Sequence, residues 1–191
     1  MSIKAVYQTL ENRDTELNQL EENGPYSCKW ENSWLGDGYY FWDTFIENAH
    51  WWGKEIRCYS SGYIICKAIC DFNDIDCFDL VGNTEHLTMI DEAFGILKNE
   101  GLANSDTTVR RIIEFLKKNM KQFNYSAIRV LGFKVKNYKS QFSSNVFFER
   151  NNSSAYLDCK PPIQICFYRK KSLNLRDYHI VYPEESSLDY V

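Results

Sequence analysis

The residues best suited to chemistry lie in three short segments, far apart in the chain. In the first, Leu35-Gly36-Asp37-Gly38-Tyr39-Tyr40-Phe41-Trp42, two glycines one residue apart precede four aromatics, and Asn48-Ala49-His50-Trp51-Trp52 follows shortly after. Glycines at that spacing let a backbone turn tightly and approach a ligand closely. A strand after them alternates its faces, so Tyr40 and Trp42 share one side while Tyr39 and Phe41 share the other. A helix after the strand returns Asn48 and one of the paired tryptophans over it. As bare architecture, the same residues make a hairpin turn and an aromatic core. The second segment is Val6-Tyr7-Gln8-Thr9 near the start, and the third is Pro161-Pro162-Ile163-Gln164-Ile165-Cys166 in the last third.

Here the chain resembles the poly(ADP-ribose) polymerase and diphtheria-toxin branch of the ADP-ribosyltransferases. It is more closely similar to small bacterial proteins with a WLGxGxYFW pattern, present here as Trp34 to Trp42. The resemblance implies a site for the nicotinamide of NAD, with Gly38 allowing close approach, Tyr40 as one ring of a clamp and Trp51 as the other. Asn48 is then the residue that bonds the amide, and Ala49 the small spacer between them. A flat aromatic amide is well held between two π faces when a polar group reads its carboxamide.

In the other two segments this sequence departs from the family. The first strand of the family ends in Tyr-His-Gly-Thr or similar, whose His bonds a ribose hydroxyl and whose Gly pairs with the amide. Gln8 stands at the His position and Thr9 at the Gly position, so the resemblance assigns both to cofactor binding. The family carries a catalytic Glu at the start of a late strand, and Gln164 stands there. Loss of nicotinamide from NAD passes through an oxocarbenium-like state, which a carboxylate offsets. An amide keeps the hydrogen bonds, loses the charge and has no general-base function. Gln164 and Tyr40 are the residues the resemblance implies for catalysis.

The implied function is an NAD-dependent mono-ADP-ribosyltransferase, a toxin or defence effector of the glycosyltransferase class, with a protein or nucleic acid as acceptor. NAD is the substrate, and no metal is needed. Two other readings stay open: a non-catalytic descendant that binds NAD, ADP-ribose or a protein partner, and an interaction domain whose exposed tryptophans form a partner surface. Glu149, just after Asn145-Val146-Phe147-Phe148, and Glu31, ahead of the glycine turn, are carboxylates that could substitute for the missing Glu, and both read as solvated.

The elements that must position these residues give an α+β pattern, and the resemblance implies a split β-sheet core with flanking helices. Strands are expected over 3–9, 39–42, 63–72, 78–80, 127–134, 145–148, 163–168 and 178–182. A short helix capped by Asp43 or Thr44 should run through Trp52. Longer helices should cover 84–99, capped by Asn83 or Thr84 with Gly101 at the stop, and 109–123, capped by Ser105 or Asp106. The polar stretch 11–22 has Leu17 and Leu20 at helical spacing, and a polar loop spans 149–154. With 191 residues, 44% of them hydrophobic and 16% aromatic, the chain can bury one sizeable core, taken as a single domain over 1–191.

The net charge of −4 gives no general attraction to nucleic acid or anionic lipid. Arg110, Arg111, Lys117, Lys118 and Lys121 read as the solvated face of a helix. The start lacks a signal-peptide layout and no apolar run is long enough to span a bilayer, so a cytoplasmic protein without a membrane partner is expected. The seven cysteines read as free thiols. Cys66 and Cys70 share a strand face, but no second pair or His stands at a zinc-site offset. His50, His86 and His179 are too scattered to form a local ligand set.

Overall fold

A computed structural model describes residues 2–13, 16–121, 123–132, 140–149 and 155–184. The chain opens with β1 (Ser2–Glu11) and α1 (Leu17–Asn23), then β2 (Tyr39–Asp43) and α2 (Ile46–Trp51), which widens into a π-helical turn over Trp52–Ile56. Next come β3 (Tyr63–Phe72), β4 (Cys77–Asp79), α3 (Thr84–Asn99) and α4 (Val109–Asn119). The last third contains β5 (Ala127–Leu131), β6 (Asn145–Phe147), β7 (Tyr156–Asp158), β8 (Ile163–Phe167), a 3₁₀ turn at Ser172–Asn174 and β9 (Arg176–Tyr182).

Seven strands form one mixed sheet in the order β4-β5-β8-β2-β1-β3-β9, and β6 and β7 pair separately as a two-stranded unit. Only β4 and β5 run parallel; the other pairings in the large sheet are antiparallel. The result is a mixed α+β architecture built on a large sheet, with helices beside it.

The register of the two central strands places the site. β1 pairs with β3 along its whole length, from Ser2 opposite Phe72 to Glu11 opposite Tyr63. Against β2 it pairs only at Val6↔Asp43 and Tyr7↔Trp42. Beyond that point residues 8–11 of β1 and residues 39–41 of β2 separate, while β2 stays fully bonded to β8. The sheet is therefore split between two adjacent strands, and the opening is walled by backbone held from behind on both sides.

Because side chains alternate, each strand feeds two cores. Val6, Phe41, Ala68, Ile165 and Phe167 fill one face. Trp42, Ala49, Trp51 and Ile65 fill the other under α2, and α3 and α4 close that face further along with Leu97, Ile113 and Leu116 over Ile128 and Cys166.

Helix α3 matches its expected limits, with the Asn83 side chain accepting from the backbone N–H of Glu85 and His86. The cap of α4 is Thr108, whose side chain accepts from Arg111 N, rather than Ser105 or Asp106. α4 also ends at Asn119, short of Phe123: Met120 turns to an extended conformation, which lets Phe123 pack on Phe78 and Tyr125 at 4.9 and 5.1 Å. The expected cap at Asp43 or Thr44 is displaced as well. Asp43 still belongs to β2, Thr44 takes a left-handed φ of +66°, and α2 starts after Phe45. The expected strand over 127–134 is described to Leu131, and residues 133–139 and most of the loop 149–154 lie outside the described residues. No helix among the described residues is long and apolar enough to cross a membrane.

Candidate functional site

The split between β1 and β2 opens into a cleft of about 600 Å³. Buried Gln8, Leu20, Phe41, Trp42 and Gln164 form its floor, and residues of both sheet faces reach it because the strands diverge there. The segment between α1 and β2 forms its outer wall. An isolated bridge holds that segment in place, with Cys28 N donating to Gly38 O at 2.7 Å and Gly38 N to Cys28 O at 3.1 Å.

Thr9, Tyr40 and Gln164, which come from three different segments of sequence, all line this cleft, as does Gln8. Their roles in it differ. The Gln8 amide is committed to the protein: Nε2 donates to Tyr26 O at 2.8 Å, and Oε1 accepts from Tyr26 N at 3.0 Å and from the Tyr178 hydroxyl at 2.9 Å. Nε2 also lies 3.4 Å from Tyr40 O, so the side chain bridges the gap where the backbone ladder stops. Thr9 Oγ1 donates to Ala49 O at 2.9 Å, tying the first strand to α2.

The Tyr40 hydroxyl is equally engaged. It donates to Gly36 O at 2.7 Å and accepts from Leu35 N at 3.0 Å, closing the glycine turn over its own ring. Gly36 sits at φ +89°, a conformation an L side chain adopts with strain. Burial pushes the Tyr40 phenol far above its usual range, so it stays neutral. Tyr40 thus offers the cleft a ring face and no free hydroxyl. Gly38 does not line the cleft. A Cβ there would stand 2.5 Å from Cys166 Sγ and 2.8 Å from Phe167 O, so glycine serves the close approach of β2 to β8.

The clamp expected from α2 is arranged differently from the sequence reading. Trp51 does not line the cleft; it is 2% exposed and packs edge-on to Trp42 at 5.9 Å, between α2 and the sheet. Its neighbour Trp52 lines the cleft instead, 5.7 Å from Trp42. Adjacent helical residues point about 100° apart, so only one of the pair can face the opening. Asn48 is fully buried and away from the cleft lining. Its Nδ2 donates to Pro161 O at 2.9 Å, fixing the lead-in to β8, and its Oδ1 has no partner among the described residues.

Gln164 is the polar floor residue left uncommitted. It lies opposite Trp42 on one side and Val130 on the other, is 8% exposed, and its side chain makes no hydrogen bond among the described residues. The one carboxylate among the described lining residues is Glu11, held by Arg13 at 2.9 Å. Glu31 offers its carbonyl to Arg110 Nη1 at 3.1 Å.

Several lining residues escaped the sequence reading. Trp30, Arg57 and Tyr59 form the rim, with the Arg57 guanidinium 4.3 Å from the Trp30 ring and 5.6 Å from the Tyr59 ring. Arg110, expected to be solvated, reaches from α4 to the carbonyl of Glu31 and to Ser33 Oγ at 3.2 Å, bracing this wall. Trp30, four residues ahead of the Trp34 motif, was the available signal, and nothing local tied it to Arg57 or Tyr59.

Elsewhere, Cys66, Cys70, Cys77 and Cys166 are buried thiols, and desolvation pushes Cys66, Cys70 and Cys166 up to about 12. They pack as small hydrophobes. No protein-family model matches the chain, and neither a similar curated protein nor a similar solved structure was found.

Proposed function

We propose that this chain is an ADP-ribosyltransferase-like domain whose cleft binds NAD or ADP-ribose, and that binding rather than carboxylate-dependent transfer is its function. One observation carries the reading. Thr9, Tyr40 and Gln164 meet on a single cleft in the split between β1 and β2, and the described lining carries no unpaired carboxylate. Aromatic walls suit a flat ring, and an uncommitted amide on the cleft floor suits a hydroxyl or carboxamide. The charge needed to offset an oxocarbenium-like centre is absent from the floor among the described residues.

Calorimetric titration with NAD and ADP-ribose tests the reading directly. Saturable binding is expected, without transfer of label from NAD to proteins or nucleic acid in a lysate. Absence of binding at millimolar ligand would sink it.

A second reading, an NAD-dependent mono-ADP-ribosyltransferase, is favoured by the free Gln164 amide, which has the hydrogen-bonding capacity to orient a ribose hydroxyl. Such an enzyme suits a protein or nucleic-acid acceptor that needs no general base. Label transfer that disappears in Gln164→Ala would select it over the first.

A further inference from the structure

The rim of the cleft contains a cation whose geometry suits an anionic ligand. Arg57 follows the π-helical turn and lines the opening. Its guanidinium lies 4.3 Å from the Trp30 ring and 5.6 Å from the Tyr59 ring, so aromatic surface constrains its faces. A guanidinium held over aromatic rings by cation–π contact keeps N–H groups for hydrogen bonding, and that fork matches phosphate oxygens two at a time. Arg57 has no ion pair among the described residues, whereas Arg13 on the same lining is neutralised by Glu11. It is thus an uncompensated charge of the described lining, on a protein of net charge −4.

Its support is built in from two sides. Trp30 belongs to the wall that Arg110 braces from α4, and the backbone N–H of Arg57 donates to Trp52 O at 2.8 Å. Arg57 and the cleft-lining Trp52 therefore share one turn of chain.

We infer that Arg57, positioned by Trp30 and Tyr59, is the phosphate-binding subsite of the cleft, so that its ligands are nucleoside diphosphates and their conjugates rather than nucleosides or free bases. This rests on the reading of the cleft as a nucleotide site. The flat ring enters over the aromatic floor and the pyrophosphate stays at the rim, where Arg57 closes on it.

The test compares the wild type with Arg57→Gln, which keeps much of the stem and removes the charge and the fork. ADP-ribose, ADP, adenosine and inorganic pyrophosphate are titrated separately at low and moderate salt. Charge-assisted hydrogen bonds worth roughly 1.5–3 kcal/mol correspond to a loss of about 10- to 150-fold in affinity for ADP-ribose and ADP in the variant. Adenosine, which carries no phosphate, should bind both proteins equally weakly, and the salt dependence of ADP binding should flatten in the variant. Thermal melts check that the exposed substitution leaves the fold intact.

If wild type and variant bind ADP-ribose equally, the subsite is overturned while the cleft reading survives. Pyrophosphate binding that Arg57→Gln abolishes, in a protein that ignores ADP-ribose and ADP, would leave Arg57 a bare anion site and overturn both its assignment to nucleoside diphosphates and the cleft reading. If none of the four probes binds the wild type, both fall.

Discussion

Gln8 and Tyr26 form a reciprocal pair: the Gln8 side-chain amide donates to the Tyr26 carbonyl at 2.8 Å and accepts from the Tyr26 N–H at 3.0 Å. A side chain here takes the place of a strand partner for a loop peptide. Gln8→Leu leaves that peptide and the Tyr178 hydroxyl without their partner. Unsatisfied buried groups of this kind cost about 1–3 kcal/mol each, so a loss on the order of 3 kcal/mol is expected in urea unfolding. A loss below about 1 kcal/mol would show that water replaces the amide without penalty.

The Gln8 pair marks where sequence reasoning stops. Gln8 was legible as a polar residue at a strand end, yet its partners lie 18 and 170 positions away along the chain. The glycine-and-aromatic strand was legible because backbone freedom and period-two alternation are local. The limits of α3 were legible for the same reason, through its capping Asn83. The choice between Trp51 and Trp52 was not. It depends on where α2 begins, and the left-handed Thr44 delays that start to Ile46, a shift of phase that no local pattern announces. The rim of Trp30, Arg57 and Tyr59 joins two irregular stretches through tertiary packing alone, so periodicity carried no trace of it.

Gln164 should separate binding from folding. Its amide makes no hydrogen bond among the described residues, so Gln164→Ala removes no internal bond of the described structure and loses packing alone. Stability should fall by less than about 2 kcal/mol, near the lower end for core truncations. Affinity for NAD or ADP-ribose should fall by about tenfold, the equivalent of one hydrogen bond. Calorimetry and a melt on the same sample read both. Unchanged affinity would remove Gln164 from the site.

Acid should weaken the fold through His50. Burial lowers its pKa below the ordinary 6.5, opposed by nearby Glu47 and assisted by Lys54. The ring accepts or donates at 3.0 Å with the Tyr63 hydroxyl and packs edge-on to Tyr182 at 4.8 Å. With the folded pKa below the unfolded one, the unfolded chain takes up the proton first. Its contribution is complete above the unfolded pKa of 6.5 and is lost as pH falls from there toward the folded value. The melting temperature should therefore drop more between pH 7 and pH 5.5 in the wild type than in His50→Phe, and equal drops would exclude His50 as the cause.

The charged cluster at the far end of β2 should prove costly to break and inert toward ligand. Arg129 Nε donates to Asp43 at 2.7 Å and its Nη1 to Asp79 at 3.1 Å, while Lys4 lies 3.3 Å from Asp43. Asp43 is 2% exposed and stands opposite Val6, one register pair behind Tyr7↔Trp42, beyond which the sheet splits. Arg129→Met leaves two buried carboxylates with Lys4 as the remaining cation of this cluster. Removing one partner from a buried pair costs about 3–5 kcal/mol, because the remaining charge loses compensation. Converting Asp43 to Asn in the same chain takes away one of those charges and should restore part of the loss. None of these residues lines the cleft, so ligand affinity measured on the folded fraction should stay at the wild-type value. A collapse of affinity in the stable double variant would instead show that the paired end of β1 and β2 sets the width of the split, and that the cluster is the hinge of the site.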